Sequence, residues 1–390
     1  MTNTVQHAAG PPTASLEPEE LVARAREATG DGDGRPLRFL PSLRRLAQSA
    51  AAEANLTPAG LGLLRDALVA QLVTQIQADR LMESHPDIGH MPIQAPIVIT
   101  GLPRTGTTAL HNLLAEVPGL RAPRLWEMLA PAVPLGPGTR EMLIQAARRY
   151  VEYYYAASPA FQILHPVDAL GPDECHRLTG TAFGSEIYAQ RYRMPSYAAW
   201  LRGKDFLAEY HHHRALLSCV LWRSPGGRPL LKCPTHLWHL GALAAVYPGA
   251  LVVRMHRDPL SCIPSACSLT AAIRATSAAA VDKAEIGRDW LDSASEVLMR
   301  QRRGETSVPG IRILDVYQRD LLSGPLAVVS QICEFAGIPL TAGARGHLDR
   351  YARDNQPGKH GVHRFSLADF GIEPAEIEQR FAGYRAEFSL

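Results

Sequence analysis

A loop of glycines and hydroxyl side chains follows the first β-branched run of the chain. The run is Ile-Val-Ile-Thr at 97–100, and the loop after it contains Gly101, Leu102, Pro103, Arg104, Thr105, Gly106, Thr107 and Thr108. A strand that ends in such a loop before a helix directs several backbone N–H groups at one anion, near the positive end of that helix. Gly101 and Gly106 have the spacing of the ATP-binding pattern G-x-x-x-x-G-K-[ST]. The lysine of that pattern is replaced by Thr107, and Arg104 places a cation inside the loop instead, so the sequence predicts a phosphate-binding loop whose cation has moved.

A second polar segment follows the apolar run 250–256. It begins with Arg257, Asp258 and Pro259, and Ser265 comes eight residues after Arg257. An arginine at a strand end and a serine two turns into the next helix can face the same anion, and the planar guanidinium suits phosphate. We expect a second phosphate site here, separate from the first loop.

Lys232 and His236 lie in a third segment of the same type, where a short apolar run ends in Lys-Cys-Pro-Thr-His. We expect the ammonium and the imidazole to fall between the two anion sites. An ammonium there can stabilise charge on a transferred group, and an imidazole can take a proton near neutral pH.

These segments need a sheet to bring them together. Four apolar runs, each ending in a polar loop, are predicted as strands at 97–100, 230–232, 250–256 and 311–316. Strands that alternate with helices are typical of an α/β fold with a central parallel sheet flanked by helices, whose ligands bind beyond the carboxyl ends of the strands. Residues 126–228, between the first two strands, are predicted as a mainly helical insertion that forms a substrate pocket.

The region before the sheet is predicted as a mainly helical N-terminal lead-in. Residues 1–16 are expected to be a disordered tail, residues 17–92 to be helical, and residues 93–390 to form the α/β domain. Thr57 followed by Pro58 is a helix-start signal, and apolar residues recur at three- and four-residue spacing from there to Met82.

Composition limits the classes of function. The chain has 390 residues and a formal net charge of +2, which leaves no electrostatic footprint for nucleic acid. The six cysteines form no C-x-x-C pair, and no apolar run reaches membrane-spanning length, so we expect a reduced, cytoplasmic protein with no membrane or nucleic-acid partner. We expect no metal: the three histidines at 211–213 are interpreted as a solvated helix face, and Asp173, Glu174 and Asp369 as structural residues.

With these motifs in this order, residues 95–390 resemble the sulfotransferases that use 3′-phosphoadenosine 5′-phosphosulfate (PAPS) as donor. The resemblance implies that residues 103–108 bind the 5′-phosphosulfate and that Arg257 and Ser265 bind the 3′-phosphate. Lys232 is similar to a family lysine that lies near a strand end, about 25 residues before the 3′-phosphate arginine. Transfer of a sulfuryl group needs no divalent metal, because it carries less charge than a phosphoryl group, and Arg104 and Lys232 can stabilise its oxygens.

Two further segments resemble family motifs less closely. The family's Tyr-x-Asp-Leu segment is similar to residues 317–321, with one extra residue, which implies that Tyr317 lies near the adenine. A late Lys/Arg-Gly segment that closes on the 3′-phosphate is similar to Lys359, His360 and Gly361, although the family's Arg-Lys-Gly triplet is not reproduced.

The general base has two candidates, because the family uses two solutions. In cytosolic small-molecule sulfotransferases a histidine about 22 residues before the 3′-phosphate arginine takes the proton, and His236 lies 21 residues before Arg257. In tyrosylprotein and several bacterial sulfotransferases a glutamate 21 to 23 residues after the loop cation does so, and Glu127 lies 23 residues after Arg104. The single arginine in the loop and the Lys-x-Pro form of 232–234 resemble the second branch, so Glu127 is favoured by a small margin, with His236 orienting the acceptor.

The acceptor is expected to be a small molecule with a hydroxyl or amine group on an aromatic or apolar body. This follows from the aromatic residues of the insertion, Tyr150, Tyr153, Tyr154, Tyr155, Phe161, Tyr188, Tyr192, Tyr197 and Trp200. Two alternatives to a sulfotransferase remain open. A nucleotide kinase would need a lysine after Gly106 and a magnesium-binding acid, for which Asp258 is the candidate, and an inactive nucleotide-binding module is expected to lack Lys232 or both candidate bases.

Overall fold

A five-stranded parallel sheet forms the centre of the protein. The computed structural model describes residues 15–32, 34–302, 308–355 and 366–390. The strands are β1 (Ile97–Gly101), β2 (Leu120–Arg121), β3 (Arg228–Lys232), β4 (Leu251–His256) and β5 (Arg312–Tyr317). They lie in the order β2-β3-β1-β4-β5, and every neighbouring pair is parallel. This confirms the predicted α/β class with a central parallel sheet. Strand β2 was not predicted, because two residues are too few to give a strand pattern in the sequence.

Strand β1 is the centre of this sheet, with β3 on one side and β4 on the other. All five of its residues are buried, as expected for a strand covered by helices on both faces. Its register with β4 runs from Ile97 beside Leu251 to Gly101 beside Met255. Because all strands are parallel, their carboxyl ends bring the loops after β1, β3 and β4 to one edge, where ligands of such sheets bind.

Four helices precede the sheet, as the lead-in predicts: α1 (Pro18–Thr29), α2 (Leu40–Glu53), α3 (Pro58–Ser84) and α4 (Asp87–His90). The predicted start of α3 is confirmed, since the Gly60 N–H donates to the Thr57 hydroxyl at 3.0 Å. The lead-in packs on the insertion, where Gln75 donates to the carbonyl of Thr181 at 2.6 Å. Of the expected disordered tail, residues 1–14 lie outside the described residues, whereas Leu16 is buried in the core.

The stretch between β1 and β3 is largely helical. Its helices are α5 (Thr107–Ala115), α6 (Leu125–Leu129), α7 (Thr139–Ala157), α8 (Phe161–Leu164), α9 (His176–Thr179), α10 (Glu186–Arg191), α11 (Pro195–Arg202) and α12 (Leu207–Arg223). The solvated histidine face predicted on α12 is wrong for two of its three residues. His212 and His213 are buried and bond to Thr181 and Tyr247, because α12 packs in the interior with little amphipathic character.

The remaining helices follow β3, and they contribute to the packing on both faces of the sheet. They are α13 (Leu240–Val246), α14 (Pro259–Arg274), α15 (Lys283–Arg302), α16 (Gln318–Ser323), α17 (Pro325–Ala336), α18 (Ala342–Asp354) and α19 (Pro374–Glu387), with a 3-10 turn at Pro234–Trp238 after β3. Among the described residues, none of the helices has the length and apolar character needed to cross a membrane.

Candidate active site

The loop after β1 has the backbone of an anion cradle. Gly101 adopts a φ of +150°, and a Cβ there would lie 2.5 Å from the carbonyl oxygen of Met255, so only glycine fits. Gly106 caps α5 with a φ of +94°, and Thr107 is the first residue of that helix. Arg104 also has a left-handed φ, +71°, which is uncommon for a residue with a side chain and turns the loop at its predicted cation. Thr105 is buried and donates back to the Leu102 carbonyl at 2.7 Å, which holds the turn closed.

The two predicted phosphate segments meet at Arg104. Its Nε donates to the Ser265 hydroxyl at 3.0 Å, and its carbonyl accepts from the Arg257 guanidinium at 2.8 Å. Its Nη1 also donates to the carbonyl of Leu164, the last residue of α8 in the insertion. Burial lowers the pKa of Arg104, and the charge of Arg257 lowers it further. Two cations held this close in a buried place favour an anion between them.

Asp258 is committed to structure. Its carboxylate accepts from the Leu260 N–H at 3.0 Å, which caps α14, and it pairs with Arg385 at 3.1 Å. The acid that a kinase would use for magnesium at this strand end is therefore already bonded to the protein.

Lys232, the last residue of β3, reaches the start of α5. Its side chain is 2% exposed, and its ammonium donates to the Thr108 hydroxyl at 3.1 Å. The ammonium also donates to Glu174. The structure thus brings Lys232 to the loop and adds the carboxylate of Glu174, a residue that the sequence alone marks only as structural.

Glu174 is the centre of a buried polar cluster. Besides Lys232, its oxygens lie 3.3 Å from the His165 Nε2 and 3.5 Å from the His176 Nδ1. Burial by itself would raise the pKa of Glu174, but Lys232 and the two imidazoles outweigh it and hold the pKa well below its usual range. No local signal marks Glu174 in the sequence, because it reaches Lys232 only when the Cys175 N–H pairs with the Lys232 carbonyl, at 2.9 Å.

Three atoms of this cluster could ligate a metal. Glu174, His176 and Cys233 place one ligand atom each within 4.8 Å of one another, and all three residues are buried. Burial raises the pKa of the Cys233 thiol to about 12, so without a metal it is protonated.

His236 lies four residues beyond Lys232, in the 3-10 turn Pro234–Trp238. It is 1% exposed, and its Nδ1 forms a hydrogen bond of 2.7 Å with the Tyr210 hydroxyl. Its Nε2 has no hydrogen-bond partner among the described residues. Burial and the neighbouring His213 and His239 hold the pKa of His236 well below its usual value, so the imidazole is neutral.

Glu127 bonds to a different set of partners. One carboxylate oxygen pairs with Arg121, and the other accepts from the Arg124 N–H at 2.8 Å in a capping box at the start of α6. Arg121 is in register with Pro229, near the beginning of β3, whereas Lys232 is at its end. The fold therefore brings His236, Lys232 and the loop to the same edge of the sheet. The carboxylate of Glu127 is bonded to Arg121 and to the backbone at the start of α6.

The remaining predicted donor contacts divide in two. Tyr317 ends β5 at the same edge of the sheet, with its ring centroid 5.5 Å from that of His256 on β4. Lys359, His360 and Gly361 lie outside the described residues, so their place in the site stays a prediction.

A cavity of about 470 Å³ lies beside the turn that carries His236. Its walls include Trp238 and His239 from that turn, Met194 from the insertion, and Arg274 and Trp290 from α14 and α15. None of the nine insertion aromatics expected around the acceptor lines it. Its two indoles come from residues outside the insertion, Trp238 in the turn after β3 and Trp290 on α15.

Comparisons with known proteins agree with this geometry. The model of the Sulfotransferase family matches residues 96–342. Among solved structures, sulfotransferase STF1 from Mycobacterium tuberculosis H37Rv is 30% identical, with a TM-score of 0.82, over 95% of this chain and 100% of that chain. Sulfotransferase STF9 from Mycobacterium avium shares the fold at 22% identity and a TM-score of 0.86, over 98% and 99% of the two chains. Comparison with curated protein sequences gave no match. Because the matched region is more than half of the chain and contains the loop, Lys232, Arg257 and Ser265, this protein belongs to the sulfotransferase family.

Proposed function

We propose that this chain transfers a sulfuryl group from PAPS to a hydroxyl or amine of a small aromatic or apolar molecule. The observation that carries the proposal is the meeting of the three polar segments at one sheet edge. Arg104 contacts both Ser265 and Arg257, and Lys232 contacts Thr108. This arrangement offers two anion positions, as a nucleotide with phosphates at both ends of its ribose requires.

The residues of the loop would hold the 5′-phosphosulfate, which supplies the sulfuryl group. Thr107 and Thr108, at the start of α5, offer hydroxyls and the positive end of the helix. Arg257 and Ser265 would bind the 3′-phosphate, and Tyr317 would lie near the adenine. Lys232 is already aimed at the loop and would stabilise the negative charge that develops on the leaving phosphate oxygen.

We propose His236 as the general base, with Glu127 as the alternative. A base must be within reach of the acceptor and must have a free lone pair. His236 is neutral and buried, follows Lys232 directly in the fold, and has an Nε2 without a partner among the residues described. The carboxylate of Glu127 is bonded to Arg121 and to the Arg124 N–H, and a change of partners would have to free it.

We place the acceptor in the cavity next to His239. The indoles of Trp238 and Trp290 suit an aromatic or apolar body, since aromatic rings prefer stacked or edge-to-face contacts. His239 bonds to Glu186 at the cavity wall and stacks on Phe206, with ring centroids 3.6 Å apart, so this wall is held in one arrangement. We also propose that the protein acts in the cytoplasm on a small molecule, which fits its small net charge and its six unpaired cysteines.

Nucleotide binding tests the proposal directly. Adenosine 3′,5′-bisphosphate and PAPS should raise the unfolding temperature, whereas ATP with magnesium and adenosine 5′-monophosphate should raise it much less, because a ligand stabilises the state it binds. The Arg257→Ala variant should lose the preference for the 3′-phosphate, and Arg149→Ala, a change at an exposed arginine of α7, should keep it. A preference for ATP, or no shift with either donor, would contradict the proposal and favour the kinase or the inactive module.

A further inference from the structure

The position of Glu174 is set by the main chain. The Cys175 N–H donates to the carbonyl of Lys232 at 2.9 Å, and the Glu174 N–H donates to Asp173 at 2.7 Å. The first bond attaches the segment before α9 to the end of β3, and the second is local to that segment. The Glu174 carboxylate is thereby held beside the Lys232 ammonium by backbone, and it does not depend on a flexible surface contact.

Among the described residues, the ammonium of Lys232 has two hydrogen-bond partners. Its ammonium contacts the Thr108 hydroxyl and Glu174, and its side chain is 2% exposed. A buried ammonium without a counter-ion is strongly unfavourable, and in a dry place it loses its proton or turns away to solvent. The pair therefore gives the lysine a counter-ion and fixes its direction, towards the first turn of α5.

The same cluster has the donor atoms for a divalent metal, so two cations compete for the carboxylate. Lys232 already donates to Glu174, and a metal between Glu174, His176 and Cys233 would place a double positive charge next to a buried ammonium. Burial lowers the pKa of His176 to about 4, so the imidazole adds no charge of its own. The lysine is the cation that fits this carboxylate.

We propose that Glu174 is a positioning residue for sulfuryl transfer, which holds the protonated Lys232 against the loop where charge develops on the leaving oxygen. This rests on the proposed function of the same site. Glu174 acts through Lys232 and takes no proton from the acceptor. The ionisable groups around the pair come from the loop, α5, the insertion and the segment after β3, and they include Arg104, His111, His165, Asp173, Cys175, His176, Cys233 and His236.

A double-mutant cycle tests this without knowledge of the acceptor. The measured rate is the slow transfer of the sulfuryl group from PAPS to water, followed as release of adenosine 3′,5′-bisphosphate. We expect Lys232→Met to lower it on the order of a hundredfold and Glu174→Gln at least tenfold. If Glu174 acts through the lysine, the double variant should fall within about threefold of Lys232→Met alone, since coupled residues are not additive. Additive losses would overturn the proposal and give Glu174 an independent role.

Folding is checked separately, because Glu174→Gln leaves an unpaired buried ammonium. Glu174→Asp keeps the charge and should recover part of the rate, and the double variant removes both charges and should fold. Glu209→Gln is the matched control: it removes the charge of another buried glutamate, which pairs with Lys204 at 2.9 Å, and should lower the stability but not the transfer rate. Adenosine 3′,5′-bisphosphate should still raise the unfolding temperature of every variant.

The metal reading gives a different result. The purified protein should contain far less than one zinc per chain, and EDTA should not change the transfer rate. A stoichiometric metal whose removal abolishes transfer would overturn the assignment of Lys232 as the partner of Glu174. A wild-type protein that neither binds nor cleaves PAPS would remove the proposed function itself, an outcome distinct from additive variants of an active enzyme.

Discussion

Two buried glutamates, Glu127 and Glu174, lie in different environments of the same fold. Glu127 bonds to Arg121 and to the start of α6. Glu174 bonds to Lys232, at the side where β3 ends and the phosphate loop lies. The first holds a helix in place, whereas the second sits against a cation that faces the loop. Burial of a carboxylate is therefore a poor guide to its role, and the identity of its cation is a better one.

Among the variants that distinguish the environments of the two glutamates, the largest loss of turnover is expected at His236. His236→Gln should lower kcat on the order of a hundredfold or more with 2-naphthol as a probe acceptor, because the side chain that replaces it cannot take the proton. Adenosine 3′,5′-bisphosphate should still raise the unfolding temperature of this variant. His213→Gln is the control, since His213 is equally buried and also bonds to a tyrosine. A loss of less than threefold in His236→Gln would return the role of the base to Glu127.

Glu127→Gln should instead act on stability. It removes a charged partner from Arg121 and weakens the capping box of α6, which we expect to lower the free energy of unfolding by about 2 kcal/mol in urea titrations. Turnover of the folded fraction should change less than tenfold. Arg121→Met should give a similar loss of stability. A hundredfold loss of turnover without a loss of stability would show that Glu127 is the base, as its spacing from Arg104 suggests.

The comparison also shows what the sequence could predict. The phosphate loop could be predicted because all of its residues are contiguous. Its glycines have a steric reason: Gly101 lies against Met255, and Gly106 adopts a positive φ. Arg257 and Ser265 could be predicted because one strand end and the helix after it carry both. In each case the residues of the motif lie within about ten positions of one another in the sequence.

Contacts made by residues of the insertion could not be predicted from the sequence in the same way. Glu174 meets Lys232 from 58 residues away, and Tyr210 meets His236 from 26 residues away. The two indoles of the cavity likewise come from outside the insertion. Such contacts depend on how helices without distinctive motifs pack on the sheet, and spacing rules for a family carry no information about them.

Acid should destabilise the protein through His111, a buried neutral imidazole near Lys232. Burial, and then the charge of Lys232, lower the pKa of His111 to about 3. Below pH 6.5 the unfolded chain takes up a proton that folded His111 refuses, so the free energy of unfolding falls as the pH falls, by about 1.4 kcal/mol per pH unit from this residue. His111→Leu should reduce the slope of the free energy of unfolding between pH 6.5 and pH 4 by that amount, as measured by urea titrations at a series of pH values. An unchanged slope in His111→Leu would mean that this imidazole is protonated in the folded protein.

Tyr210 offers the finest separation of a catalytic from a structural contact. Its hydroxyl bonds to the Nδ1 of His236 at 2.7 Å, and Tyr247 makes the same bond to His213, also at 2.7 Å. All four side chains are buried, so Tyr210→Phe and Tyr247→Phe should each cost about 1 kcal/mol in the free energy of unfolding.

Their effects on turnover should differ. The bond to Nδ1 orients the ring of His236 and influences which nitrogen carries the proton, and therefore whether Nε2 can accept one from the acceptor. Tyr210→Phe should lower kcat about fivefold to tenfold, an effect of about 1 kcal/mol, with KM for PAPS unchanged, whereas Tyr247→Phe should leave kcat as it is. Equal losses in the two variants would mean that Tyr210 matters only for packing, and the hydrogen bond would then have no part in preparing His236 to accept a proton.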